Sequence, residues 1–315
     1  MRMFKNTLDN KRYYTLNYYY KKKYNSKVFK VALNGGFTCP NKDGKKGTGG
    51  CIYCSPSGSG DFAGNICEDI VTQFNNVRDM MLKKWPDAKY IGYFQANSNT
   101  YASVDKLKEL YEPILRQENV VGLNIATRSD CFDKDIYDYL DDLNKRTDLV
   151  IELGLQSSKE ETIEFINRKE TKEEFEECIK ELNKRNIKYV IHIINGLPGE
   201  TKEDMINTAK YVNSLKPFGI KIHMLHVIKN TKLGDMYLDK PFHLLTKEEY
   251  IDIVINQLEA LDENIVINRI TGDPVKEDLI EPHWLIKKVC VLNDIDKEMV
   301  KRNTYQGIKV NKKGD

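Results

Sequence analysis

Residues 149–194, LVIELGLQSSKEETIEFINRKETKEEFEECIKELNKRNIKYVIHII, decide the fold class of this chain. They begin and end with short runs of β-forming residues, at 149–155 and 188–194. Between these runs, apolar residues recur at helical spacing, and Thr171 and Glu174 have the spacing of a capping box at a helix start. A strand, a helix and a second strand in this order predict a parallel β-α-β unit.

The same alternation runs through most of the chain. Short β-like runs occur at residues 27–33, 90–94, 120–126, 149–155, 188–194 and 220–225. Amphipathic helical stretches lie between them, and further capping patterns begin at Thr201 and Thr246. About six strand–helix repeats predict an α/β fold with a parallel sheet and helices outside it. The pattern alone leaves open whether the sheet is doubly wound or a partial barrel.

The fourth predicted strand carries polar residues on one face. Glu152, Gly154 and Gln156 alternate with leucine and isoleucine along it. A strand buried on both faces is normally apolar throughout. The pattern therefore predicts either a polar barrel interior that holds a ligand or an edge strand with one face in water.

Three of the seven cysteines follow the first predicted strand. The stretch CPNKDGKKGTGGCIYC, residues 39–54, spaces Cys39, Cys51 and Cys54 as C-x11-C-x2-C. Thiolates suit zinc or an iron–sulfur cluster, and three of them on a four-iron cluster leave one iron open to other ligands. The alternative is a structural zinc ion with Cys67 or a histidine as fourth ligand. Catalytic loops typically follow barrel strands, which favours the cluster.

Composition and charge bear on location and partners. The 315 residues are 40% hydrophobic and 30% charged, with a formal net charge of +2. No apolar stretch reaches the roughly 20 residues of a membrane span, and the N-terminus lacks a secretory signal. We therefore expect a cytoplasmic protein with no membrane contact.

The first 30 residues differ from the rest of the chain. They contain nine Lys or Arg residues, one acidic residue and six tyrosines. This combination predicts either a surface that binds RNA phosphates and bases or a lead-in segment whose tyrosines pack on the barrel.

Motifs at successive strand ends carry a resemblance to a known family. After the cysteine loop come QANSNTY at 95–101, TRSD at 127–130, ELGLQS at 152–157, GLPGET at 196–201, KIHMLHV at 221–227, RITGD at 269–273 and KRNTYQG at 301–307. In this order they resemble the radical SAM superfamily. More narrowly, the chain is similar to the bacterial YhcC/YtqA-type branch, whose core resembles that of the elongator catalytic subunit.

The resemblance implies a fold and its division. The expected architecture is a partial (β/α)6 TIM-like barrel with a C-terminal extension of helices and strands. The barrel would span residues 27–230, between a basic, tyrosine-rich segment at 1–26 and the extension at 231–315.

The resemblance also implies the cofactors. Cys39, Cys51 and Cys54 would hold a [4Fe-4S] cluster whose fourth iron is chelated by the amino and carboxylate groups of S-adenosylmethionine (SAM). Reductive cleavage of SAM, with electrons from an external donor, would give a 5′-deoxyadenosyl radical that abstracts hydrogen from a substrate.

Under this resemblance, nine residues are candidates for cofactor contacts: Gln95, Asn99, Thr100, Arg128, Asp130, Glu152, Gln156, Gly196 and His223. The planar fork of Arg128 suits the methionine carboxylate, and its alternative role is a surface salt bridge. Asp130 and Glu152 suit ribose hydroxyls or the methionine ammonium group. Gly196 would let the backbone approach the adenine.

Other polar residues have simpler interpretations. His192 and His223 can be core residues with satisfied hydrogen bonds, and Glu200 can stabilise the N-terminus of the helix that follows it. The remaining cysteines, Cys67, Cys131, Cys178 and Cys290, are expected to be buried and to pack like small hydrophobic residues. For Cys131 and Cys290 the alternative is a second reactive thiol.

The resemblance implies a tRNA-modifying enzyme that acts on the side chain of a wobble uridine. It would process a carboxymethylaminomethyl-type group towards aminomethyl. Two alternatives stay open: a radical SAM enzyme with a small-molecule substrate, and a zinc-stabilised RNA-binding module without catalytic activity.

Overall fold

The computed structural model describes residues 4–7, 11–58 and 60–310. The main sheet contains β1 (Val28–Leu33), β2 (Lys89–Phe94), β3 (Val120–Thr127), β4 (Asp148–Gln156), β5 (Lys188–Asn195), β6 (Gly219–Met224) and β8 (Val266–Arg269). A second, two-stranded sheet contains β7 (Val227–Ile228) and β9 (Leu279–Glu281). The helices are α1 (Leu16–Tyr24), α2 (Ile70–Leu82), α3 (Val104–Leu115), α4 (Lys134–Arg146), α5 (Glu160–Phe165), α6 (Lys172–Lys184), α7 (Lys202–Ser214), α8 (Lys232–Asp239), α9 (Lys247–Ala260) and α10 (Lys288–Lys301).

The seven strands of the main sheet follow the order β1-β2-β3-β4-β5-β6-β8, and every neighbouring pair is parallel. The six predicted strands are confirmed, and β8, which lies after residue 230, is an additional seventh strand. The edge-strand interpretation of residues 149–155 is wrong, because β4 pairs with both β3 and β5.

The sheet is curled into a partial barrel, as the resemblance implied. Lys221 on β6 donates a hydrogen bond of 3.0 Å to the hydroxyl of Tyr93 on β2, four strands away. Neighbouring strands lie about 4.8 Å apart, so a flat sheet would separate these two strands by about 19 Å. The two side chains can meet only because the sheet curves around a shared interior.

The helices outside the sheet begin at the predicted caps. Thr171, Thr201 and Thr246 each form a reciprocal capping box with the acidic residue three positions later. The apolar faces of these helices are buried, and the core includes fully buried Phe175, Tyr111 and Tyr250. In the part of the chain that the structure describes, every helix is too short or too polar to cross a membrane.

Helix α1 covers the amino-terminal ends of the barrel strands. Tyr24 donates to Asp148 at the start of β4, and the ring of Tyr19 lies edge-on against Phe218 just before β6, with the centroids 4.9 Å apart. Tyr20 is 6% exposed. All six tyrosines of the first 30 residues are buried or half-buried. The predicted packing on the barrel is therefore observed for Tyr19, Tyr20 and Tyr24, and RNA binding by this segment stays a prediction.

The division of the chain at residues 26 and 230 stays a prediction. Both flanking segments contact the barrel: Thr15 forms a parallel bridge with Ile267, and β8 extends the main sheet beside β6.

Candidate active site

A cavity of about 980 Å³ opens at the carboxyl-terminal ends of the strands. Eight of the twelve predicted site residues line it: Cys39, Cys51, Cys54, Gln95, Arg128, Glu152, Gln156 and His223. The polar-interior interpretation of β4 is thereby confirmed for Glu152, whose side chain is only 1% exposed but faces this cavity.

The cysteine loop folds tightly because of its turn residues. The carbonyl oxygen of Cys39 accepts N–H groups from Lys42 and Asp43, at 2.8 and 3.1 Å. Gly49 and Gly50 have φ values of +77° and +75°, a left-handed conformation that glycine adopts at little cost. These turns bring Cys51 and Cys54 to the cavity wall that Cys39 also lines.

The loop is fixed to the segment that follows α5. The side-chain amide of Asn41 donates to the carbonyl oxygen of Asn167 at 2.6 Å, and the amide of Asn167 donates to that of Gly50 at 2.8 Å. Asn41 also places its amide nitrogen 3.8 Å from the sulfur of Cys51. Such N–H donors to sulfur tune the potential of iron–sulfur clusters.

The donor set fits a [4Fe-4S] cluster with one open iron. Three cysteines with soft thiol ligands line the same cavity, with an amide donor at one of them. Across the described ranges, no three His, Cys, Asp or Glu side chains are grouped closely enough to hold one metal ion. Cys67, the proposed fourth zinc ligand, is exposed and is not among the residues that line the cavity.

Arg128 forms a buried salt bridge with Asp130 rather than a surface one. Its Nε and Nη2 atoms lie 2.8 and 2.7 Å from the two carboxylate oxygens, and Nη1 donates to the carbonyl oxygen of Arg168 at 2.9 Å. A further N–H reaches the carbonyl oxygen of Lys169. Four of the five N–H groups of this guanidinium therefore have partners within the protein. Asp130 is not among the cavity-lining residues.

Arg168 is a cavity-lining residue that the sequence reasoning missed. Nη2 donates to the carbonyl oxygen of Gly154 at 2.6 Å and pairs with Glu170, while the buried Nε has no partner in the described structure. Burial opposes its charge, but Glu170 and the Cys51 thiol outweigh burial and raise the pKa of Arg168. A buried N–H without a partner, beside the cysteines, is a donor available to an anionic ligand.

Glu152 lies at the base of the cavity among four donors. Its carboxylate accepts from Lys30 at 2.8 Å, from Asn124 at 2.7 Å, from His192 at 3.0 Å and from Lys221. Burial acts to raise the pKa of Glu152, but Lys221 and Lys30 outweigh burial and hold that pKa well below its ordinary value. The carboxylate is therefore ionised and fully engaged.

The predicted histidine lies within a row of three along the cavity. His192, His223 and His226 all line it, and the rings of the first two have centroids 5.6 Å apart. Burial, followed by repulsion from Lys221, lowers the pKa of His192 to about 4. Burial, followed by repulsion from Arg269, lowers that of His226 to about 4 as well. These imidazoles are neutral at physiological pH, so they can donate or accept hydrogen bonds without adding charge.

Gln156 is directed by an irregularity at the end of β4. The pairing of β4 with β5 shifts register between Gly154 and Gln156, and Gln156 has a φ of +70°. Such bulges re-aim side chains beside active sites, and a positive φ at a residue with a side chain stores strain. This local distortion accompanies the exposure of Gln156 to the cavity.

Three other predicted contact residues lie behind the cavity wall. Asn99 donates to the carbonyl oxygen of Ala126 at 2.7 Å, and the hydroxyl of Thr100 lies 2.6 Å from that of Thr127. Gly196 is at a turn with φ +91° and is not among the cavity-lining residues. Their roles in cofactor binding stay predictions.

Two of the four remaining cysteines differ from expectation. Cys131 and Cys178 are buried, and burial raises the pKa of Cys178 to about 12. Cys67 and Cys290 are exposed, because the first lies in the loop before α2 and the second on the outer surface of α10. The expectation that all four are buried is therefore wrong for these two.

Comparisons with known proteins agree with this geometry. The Radical SAM superfamily profile matches residues 43–212, and the Radical_SAM C-terminal domain profile matches residues 217–301. YtqA of Bacillus subtilis is 47% identical over 297 residues, covering 94% of this chain and 92% of YtqA. YhcC of Escherichia coli is 29% identical over 280 residues, covering 88% of each.

Two further matches are more distant. The solved structure of archaeal Elp3 from Methanocaldococcus infernus superposes with a TM-score of 0.67 at 19% identity, covering 89% of this chain and 64% of that one. A tRNA uridine(34) acetyltransferase of Methanocaldococcus jannaschii is 26% identical over 200 residues, covering 62% of this chain and 35% of the relative. The chain belongs to the radical SAM superfamily of enzymes, in the branch that contains YtqA and YhcC, whose members bind a [4Fe-4S] cluster and SAM.

Proposed function

We propose that this enzyme modifies tRNA at the side chain of a wobble uridine, with a [4Fe-4S] cluster on Cys39, Cys51 and Cys54. The observation that carries the proposal is one open cavity that these three cysteines line together with cationic and imidazole side chains. When bound, the cluster and SAM supply a one-electron cleavage that starts hydrogen abstraction. The protein supplies position and the exclusion of water.

Arg168 is the residue that we propose for the methionine carboxylate of SAM, in place of Arg128. Arg168 lines the cavity and its buried Nε has no hydrogen-bond partner in the described structure, whereas Arg128 has four N–H groups engaged within the protein. Arg128 and Asp130 then hold the backbone around Arg168 in place. Gln95, Gln156 and His223 remain candidates for the other polar groups of SAM, because they line the same cavity.

The mouth of the cavity supports a nucleic-acid substrate. Phe62 lines the cavity and is 59% exposed, so its ring is available to stack on an unpaired base. Lys276, also exposed, lies on the same rim and can approach a phosphate. The similarity to a tRNA uridine(34) acetyltransferase favours the wobble position. We propose that a carboxymethylaminomethyl-type group is converted towards aminomethyl, in the cytoplasm, with electrons from an external reductant.

The cluster assignment can be tested by anaerobic reconstitution with iron and sulfide. The wild-type protein should gain the broad brown absorbance of a cubane, and with dithionite and SAM it should release 5′-deoxyadenosine. Cys51→Ala should lose both, whereas the exposed Cys290→Ala variant should retain both. A Cys51→Ala protein that still carries the cluster and turns over would refute the ligand set.

The substrate assignment needs a separate measurement. Bulk tRNA should stimulate 5′-deoxyadenosine release, and tRNA from a strain that lacks the gene should accumulate the unprocessed wobble nucleoside. An unchanged nucleoside profile would count against the tRNA role. Weak tRNA binding that is independent of salt would favour a small-molecule substrate instead, since phosphate contacts weaken steeply as salt rises.

A further inference from the structure

The floor of the cavity contains two lysines that share one carboxylate. Lys30 from β1 and Lys221 from β6 both contact Glu152 from β4. Between them lies the ring of Tyr93 from β2, with the ammonium groups 5.2 and 4.5 Å from its centroid. Six strands of the barrel contribute to this cluster, because Asn124 on β3 and His192 on β5 also contact the carboxylate.

The floor carries more positive than negative charge. Two ammonium groups face a single carboxylate, while burial lowers the pKa of His192 and raises that of Tyr93, so both are neutral at physiological pH. Arg269, at the end of β8, also repels the charge of Lys221, although it is paired with Asp273. A positive charge in a buried site is costly unless a counter-charge or a ligand compensates it.

The acidic residues along the cavity wall are engaged elsewhere. Asp273 accepts from Arg269 and Lys288, and Asp61 accepts from the hydroxyl of Ser57. Glu277 is exposed at the rim. The acidic side chains of the cavity wall therefore leave the excess positive charge at the base of the cavity without a counter-charge.

Lys221 is the member of this cluster that has a donor available for a ligand. Its side chain is 9% exposed and lines the cavity. An ammonium group has three N–H donors, of which the structure assigns one to Glu152 and one to Tyr93. The remaining N–H is a charge-assisted donor with no partner in the described structure.

We propose that Lys221 binds a carboxylate of the substrate and thereby selects substrates that carry this group. The inference rests on the proposed function, in which the processed uridine side chain ends in a carboxylate that its aminomethyl product lacks. Lys221 is then a specificity-determining residue, and Lys30 keeps Glu152 neutralised so that Lys221 can engage the substrate. Loss of the carboxylate from the substrate removes this contact.

The test compares two tRNAs that differ only in the wobble side chain, one carboxymethylaminomethyl and one aminomethyl. Binding to the reconstituted holoenzyme with SAM present is measured by fluorescence anisotropy. Both tRNAs carry the same phosphates, so the ratio of their Kd values isolates the carboxylate. We expect the wild type to favour the carboxylate-bearing tRNA by about 10- to 100-fold, as for a buried charge-assisted hydrogen bond.

Lys221→Gln should abolish this preference, and Lys221→Arg, which keeps the charge, should retain most of it. Lys188→Gln is the matched control: Lys188 is half-buried on β5, pairs with Asp148 and lies outside the cavity lining. Circular dichroism melts identify any variant that fails to fold.

A preference that survives in folded Lys221→Gln overturns the proposal. The proposal is also overturned if Lys221→Gln weakens SAM binding while the preference between the two tRNAs is unchanged, because Lys221 would then bind the carboxylate of SAM. If the wild type binds neither tRNA, the proposed function fails, and the same ratio is measured with the two free nucleosides. A carboxylate preference there that depends on Lys221 sustains the inference without tRNA, and equal binding of both nucleosides refutes it.

Discussion

Glu200 couples the stability of the loop before α7 to pH. The residue lies between β5 and α7, and its carboxyl group accepts a hydrogen bond from the hydroxyl of Ser157 at the end of β4. Burial raises the pKa of Glu200 from 4.5 to about 7, against the opposing effect of Ser157 and Thr162. The folded protein therefore holds a proton here, between pH 4.5 and 7, that the unfolded chain releases.

Because the folded protein binds this proton more tightly than the unfolded chain does, raising the pH lowers the free energy of unfolding. The contribution of Glu200 to the free energy of unfolding is largest below pH 4.5 and is lost as pH rises through about 7. A shift of this size corresponds to roughly 3 kcal/mol at about 1.4 kcal/mol per pKa unit. Because Glu200 is only partly shielded from water, we expect about 2 kcal/mol.

Glu200→Gln removes this titration and keeps an oxygen that can accept from Ser157. The variant should be about 2 kcal/mol more stable than the wild type at pH 8 and nearly equal to it at pH 5. Urea unfolding of the two proteins at both pH values measures the difference. Glu203→Gln, exposed on α7, should match the wild type throughout. A Glu200→Gln variant with no gain at pH 8 would refute the reasoning.

Three further outcomes follow from the site. Arg168→Lys should weaken SAM binding about tenfold or more in equilibrium dialysis, because lysine lacks the Nε donor; unchanged affinity would exclude Arg168 from the SAM site. Tyr20→Ala should cost about 3 kcal/mol in urea unfolding, and Tyr20→Phe much less, since its ring is buried under the barrel. The preference for the carboxylate-bearing tRNA should decrease as pH rises through about 8, because Lys221 then loses its charge. Burial, followed by repulsion from Lys30, lowers the pKa of Lys221 to about 8, although the charge of Glu152 acts to raise it. A ratio of Kd values that stays flat from pH 6.5 to 9.5 would contradict that last expectation.

Much of the fold was predictable because its signals are local. The six strands and the three capping boxes each depend on residues within one short window, and all were confirmed. Strand β8 was missed because only the four residues Val266–Arg269 form it, and the last two of them, Asn268 and Arg269, are polar. Its place in the sheet depends on pairing with β6, which no local pattern encodes.

The residues of the candidate site were likewise predictable only where their sequence signal is local. The spacing of Cys39, Cys51 and Cys54 is a local signal, and all three line the cavity. Arg128 was given a ligand role from its residue type, but its partner Asp130 lies two residues away and engages it. Arg168 lies outside any recognised motif, and its only sequence signal is its position shortly before a capping box. Its importance arises from three-dimensional proximity to the cysteine loop.

Helix α1 has a consequence for how the enzyme keeps water from its reaction chamber. Leu16 of this helix lines the cavity, and Tyr20 lies close enough to Glu152 for their charges to interact. A shortened chain that began at β1 would leave the cationic floor accessible from underneath as well as from the mouth. Water would then enter the chamber from two directions, so helix α1, despite its basic and polar composition, closes the chamber at the amino-terminal ends of the strands.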